Sequence, residues 1–244
     1  MDILKRVRFM PKAEIKNNVV FNPYVGKDYE SNGKKFLGKR VMVIGASHYC
    51  EHYTSAAGCS NKCPHFGRYC FHNDNQWYFG EKCERFTEIV IERYRTWFGG
   101  KGEKNWFRTF SSFYNSFFMK YPPSHENRKR LLDHIIHTEY LQGVEGFNSY
   151  INNKNEMQAD RNFVEFSKVV ATYKPEVVLF WGPRGWREAC KRCDVKDMSS
   201  DIISVHIEGV EVKLVHVCHP ARGFKRERFQ AQLKELGVKL IELD

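Results

Sequence analysis

Short apolar runs ending in glycine, proline or histidine set the rhythm of this chain. Residues 41–44 form a β-branched run, Val41-Met42-Val43-Ile44, that follows Lys39 and Arg40 and stops at Gly45. Residues 176–181 carry Val177-Val178-Leu179-Phe180-Trp181 before Gly182-Pro183. Residues 212–218 run through Leu214, Val215 and Val217 to His219-Pro220. Near-continuous apolar runs of this length predict central strands covered on both faces. Residues 202–207 and 210–217 alternate around Glu208-Gly209, the pattern of a hairpin or strand pair.

Between these runs the period changes to that of a helix. Phe86, Ile89, Val90, Tyr94 and Trp97 predict a helix over 84–98, stopped by Gly99-Gly100. Ser124 is placed to cap a second helix, whose buried stripe is Leu131, Leu132, Ile135 and Ile136. Phe163, Phe166, Val170 and Tyr173 mark a third, ended by Lys174-Pro175, and Pro183 suits the first turn of a fourth running to about Cys193. Phe229, Leu233 and Leu236 give the last helix, with a further edge strand expected over 238–243. Residues 143–150 read as a short strand or loop. Strands alternating with helices predict an α/β fold, a three-layer α/β/α sandwich around a largely parallel sheet, with residues 1–244 as one domain.

Charge and cysteine content add two features. The 244 residues have a formal net charge of +10 and eight cysteines. The basic excess begins in residues 1–38, read as an extended arm with turns, and favours a polyanionic partner. Arg184 and Arg187, Arg222, Lys225 and Arg226, and Lys101, Lys104 and Arg108 group as candidate phosphate contacts. The opening residues break into charge at once and no run reaches the length of a membrane span, so a soluble, cytoplasmic, monomeric protein with no membrane partner is expected. Residues 50–83 form a Cys/His-rich insertion containing Cys59, Cys63, Cys70 and Cys83. Cys59-x3-Cys63 is within the spacing of structural zinc, whereas reduced thiols are the alternative. Cys190-x2-Cys193 falls on a predicted helix and is expected to pack or be exposed rather than bind metal.

In an open α/β sheet, the loops after the strands' carboxyl ends are where ligands bind. Here those loops carry Gly45-Ala46-Ser47-His48-Tyr49 and His219-Pro220-Ala221-Arg222, with Gly146-Phe147-Asn148-Ser149-Tyr150 between them. In that order and spacing they resemble the uracil-DNA glycosylase superfamily. The resemblance, spanning residue 39 to the C-terminus, implies a uracil-DNA glycosylase-like fold that binds nucleic acid, DNA first, and cleaves the N-glycosidic bond of a deaminated or damaged base. It implies that Asn148 reads the base edge, His219 stabilises the leaving base, Tyr49 shapes the pocket, and Arg222 approaches the DNA. Gly45, Ala46, His48 and Pro220 would complete the substrate site. It also brings an iron–sulfur cluster into view for the four cysteines, behind zinc.

One departure stands out. The acid that positions water in the best-known members falls at Ser47 here, and Ala46 takes the place where some relatives carry Glu. Ser47 would have to orient the water alone, and a binding module that recognises a nucleotide or base without cleaving it is the alternative. A metal-dependent hydrolase built on the His and Cys cluster is a third reading.

Overall fold

The computed structural model describes residues 22–45, 48–50, 53–54, 58–59, 86–97, 105–120, 122–140, 144–146 and 156–242. In chain order the strands are β1 (Tyr24–Val25), β2 (Val41–Gly45), β3 (His48–Cys50), β4 (Tyr53–Thr54), β5 (Gly58–Cys59), β6 (Ile136–Glu139), β7 (Val144–Gly146), β8 (Val177–Trp181), β9 (Ile202–Ile207) and β10 (Val210–Val217). The helices are α1 (Lys34–Leu37), α2 (Phe86–Thr96), α3 (Asn105–Tyr114), α4 (His125–Leu132), α5 (Glu156–Tyr173), α6 (Pro183–Arg192) and α7 (Arg226–Glu235). The protein is α/β.

Six strands make the main sheet, in the order β1-β6-β2-β8-β10-β9. The inner four are parallel, and the edge strands β1 and β9 run antiparallel to them. Every residue of β2 and β8 is buried, as their unbroken apolar runs require. Alternation along the strands separates two cores. Val43, Leu179, Trp181 and Val215 meet Tyr94 of α2, Phe113 of α3, Leu131 of α4 and Phe229 of α7. Met42, Ile44, Phe180 and Leu214 meet Phe166 of α5 and Trp186 of α6 on the other face.

Local signals account for several ends. The Ser124 side chain accepts from the Asn127 backbone N–H at 3.2 Å, which caps α4. Pro183 opens α6, where its missing N–H costs nothing.

Three expectations change. The helix of the Leu131 stripe stops at Leu132, and Ile136 belongs to β6 instead, because Ile136 and Thr138 are β-branched and slot between β1 and β2. Residues 22–38 are not simply extended: after β1 comes a wide helical turn, Tyr29–Gly33, and then α1, with Tyr29 and Leu37 fully buried. Within residues 238–242 the structure has a single bridge, Ile241 to Phe118, in place of an edge strand. Two others stand: within 143–150, read as a short strand or loop, Val144–Gly146 form β7, parallel to β3, and Cys190 packs in the second core.

Phe113 is fully buried, and its ring meets Trp181 at 5.0 Å, Phe229 at 4.9 Å and Phe117 at 5.6 Å. Phe113→Ala is expected to cost about 3–5 kcal/mol in chemical denaturation. A loss under about 1 kcal/mol would show that this aromatic layer does not support the sheet.

Candidate active site at the carboxyl ends of the parallel strands

The chain starts its parallel sheet in the interior at β2, adds β6 on one side, then crosses to β8 and β10 on the other. That reversal falls between β2 and β8, and in open α/β sheets the carboxyl ends of the strands at such a point are the usual ligand position. One row of residues crosses those ends: Glu139 sits opposite Gly45, and Trp181 opposite Val217. In-register neighbours point to the same face, so the Glu139 side chain lies where a side chain at 45 would go. A Cβ at position 45 would overlap the Glu139 carboxylate outright. Gly45 is therefore a seat for an acid, and any side chain there would expel it.

The carboxylate is tethered. Glu139 and His137 are 7% and 1% exposed. His137 Nε2 lies 3.4 Å from Glu139 Oε1, and His137 Nδ1 lies 2.5 Å from the Tyr114 hydroxyl of α3. Burial, with help from Tyr94 and the Glu139 carboxylate, holds the Tyr114 phenol well above its ordinary range, so it keeps its proton. In the tautomer in which Nδ1 accepts from Tyr114, the imidazole N–H is on Nε2 and faces the Glu139 carboxylate. Trp181 and Phe110 pack around the imidazole at 5.2 and 5.6 Å.

His219 stands two residues past β10. The Ala221 backbone N–H donates to its Nδ1 at 3.2 Å. Its ring meets the Trp181 ring edge-to-face at 6.4 Å, and Gly182, at φ +86°, gives a hypothetical Cβ only 3.7 Å from the His219 Cβ. Burial, and then the Arg222 cation, push the His219 pKa below its ordinary value; the Glu139 carboxylate acts in the opposite direction. At neutral pH the ring is thus uncharged, with Nδ1 accepting and the proton on Nε2. His219 is a neutral donor within electrostatic reach of a buried carboxylate.

Other expected residues fall as follows. Pro220 is buried and Arg222 is exposed beside His219. His48 and Tyr49 lie on β3, which pairs with β7: His48 faces Val144 and Cys50 faces Gly146. This pairing brings the first motif alongside the chain that leads to Asn148. Ala46, Ser47 and Asn148 themselves lie outside the described residues, as do Cys63, Cys70, Cys83, Lys101 and Lys104. Cys59 is on β5, opposite Tyr53. Among the described residues no group of three or more His, Cys, Asp or Glu is placed to hold a metal.

Arg184, Arg187 and Lys225 are exposed at the strand-end rim, and Arg108 is exposed on α3. Arg226 is a correction: its guanidinium donates to the carbonyls of Phe118 at 2.6 Å and Met119 at 3.0 Å, tying α7 to the turn after α3. It holds the fold together rather than reaching for phosphate. Sequence reasoning missed Glu139 and His137, having placed Ile135 and Ile136 just before them on a helix. The β-branched residues Ile135, Ile136 and Thr138 are the local signal that marks a strand there.

Neither family models nor curated proteins match this chain.

The His219 environment gives a signed prediction. In an NMR titration its midpoint is expected below the ordinary 6.5, and Arg222→Ala is expected to raise it. The unfolded chain binds this proton more readily than the folded one. Stability from neutral His219 is therefore complete above pH about 6.5 and is lost as pH falls through the lowered value. A midpoint at or above 6.5 would contradict the neutral-donor assignment.

Proposed function

We propose that this protein is a nucleic-acid-binding member of the uracil-DNA glycosylase type that hydrolyses the N-glycosidic bond of a deaminated or damaged base. The observation that carries the reading is His219, a neutral imidazole with its proton on Nε2 at the end of a central parallel strand. A departing base leaves with its electron pair, and negative charge grows on its carbonyl oxygen. A fixed neutral donor aimed there stabilises that charge without a charge of its own to desolvate, worth about 2.7–4 kcal/mol for one such donor.

The remaining roles follow the resemblance. Asn148 offers one acceptor and two donors in a plane and reads the hydrogen-bonding edge of the flipped base. Tyr49 limits what fits at the 5-position of a pyrimidine, and Ser47 orients water. Gly45, Ala46, His48 and Pro220 shape the pocket. Arg222, with Arg184, Arg187 and Lys225 along the same rim, contacts phosphates. Helices on both faces of four parallel strands are compatible with the uracil-DNA glycosylase-like fold. Zinc on Cys59, Cys63, Cys70 and Cys83, or less readily an iron–sulfur cluster, would brace the insertion. One domain, a monomeric state and a cytoplasmic location complete the proposal. Among the described residues no helix is long and apolar enough to cross a membrane.

Ala46 and Ser47 favour a second reading, a base-binding module on the same fold. An abasic-site assay separates the two. The protein is incubated with single- and double-stranded oligonucleotides bearing uracil, hypoxanthine, xanthine or oxidised bases. Base release is expected, falling about 10²–10³-fold in His219→Ala. Salt-sensitive binding with no release from any substrate would support the binding module instead.

A further inference from the structure

We propose, building on that glycosidase reading, that Glu139 is the general base that activates the attacking water. The first motif has no acid at Ala46 or Ser47. The adjacent strand supplies one: Glu139 ends β6 directly opposite Gly45, and its carboxylate occupies the space a side chain at 45 would take. The acid is thus brought to the carboxyl end of β2 by strand pairing instead of by local sequence.

Three features fit this role. The carboxylate is almost wholly buried, so little bulk water competes for its oxygens. His137 fixes it through Oε1 and is itself fixed by Tyr114, so its orientation is set before substrate arrives. It also acts on His219 electrostatically, so a carboxylate and a neutral donor stand at the carboxyl ends of the same parallel strands. That polarity matches a bond that breaks to leave positive charge on the sugar and negative charge on the base.

The step balances as follows. The water oxygen forms a bond to the anomeric carbon while one of its protons passes to the Glu139 carboxylate. The carbon–nitrogen bond breaks, and its electron pair leaves with the base, whose oxygen accepts from His219 Nε2–H. The proton on Glu139 then passes to the released base or to solvent. Water has been added across the bond, with no oxidant or metal consumed.

A structural tie between β6 and α3 would need only a hydrogen-bond acceptor for His137, which glutamine also provides. Glu139→Gln therefore separates the roles. In the full-length chain, under single-turnover conditions on the oligonucleotide the wild type cleaves, E139Q is expected to be slower by about 10²–10⁴-fold. Its thermal midpoint and its affinity for a 2′-fluoro oligonucleotide that resists cleavage are expected to be unchanged. Glu139→Ala is expected to recover rate on addition of formate, a small carboxylate able to enter the vacated space.

Wild-type rate in E139Q would overturn the proposal and leave the glycosidase reading standing. A slow E139Q with no formate rescue of E139A would reduce Glu139 to a positioning residue, which also overturns it. No base release by the wild type would overturn the glycosidase reading and this proposal together.

Discussion

The close contact between the Glu139 carboxylate and the bare Cα of Gly45 is the constraint on which the site depends. A buried carboxylate is costly unless it is hydrogen-bonded and well seated. Here the seat is a missing side chain on β2, and the hydrogen bond is the N–H of His137. That imidazole is in turn steered by a phenol that burial keeps protonated. Each partner arrives on a different element, so the parallel register of β2 with β6 and the docking of α3 over that face must both be correct. The aromatic layer of Phe110, Phe113 and Trp181 fixes α3 there.

After β10 the requirement is for an uncharged group. His219 is kept neutral by burial and by the Arg222 cation, and its tautomer is set by one backbone N–H. A buried carboxylate at the end of β6 and an uncharged donor after β10 thus stand at neighbouring strand ends. The exposed cations along the same rim would add a general attraction for polyanions without specifying sequence.

Much of this frame was legible in the chain. The unbroken apolar runs gave β2 and β8, the Glu208-Gly209 turn gave the β9–β10 pair, and Ser124 and Pro183 marked helix starts. These signals are local. What escaped was non-local. Leu131, Leu132, Ile135 and Ile136 satisfy a helical stripe on spacing alone, yet Ile136 pairs with Met42 and Val25 in the sheet. His137 and Glu139 are polar positions inside a buried strand, and Tyr114 and Gly45, both distant in sequence, help to make their burial tolerable. Likewise nothing beside Arg226 announces that its partners are the carbonyls of Phe118 and Met119. His219 was found because a histidine after a strand's carboxyl end is exposed to that logic directly. Its neutral state depends on surroundings the motif does not contain.

The most direct test of a functional crevice at these strand ends is amide chemical-shift mapping with a single-stranded oligonucleotide carrying one uracil, against the same oligonucleotide with thymine. The account predicts that the uracil-specific shifts cluster at Gly45, Glu139, Gly182 and His219, on the four adjacent strand ends. Uracil-specific shifts elsewhere on the fold, with these four residues unmoved, would contradict it.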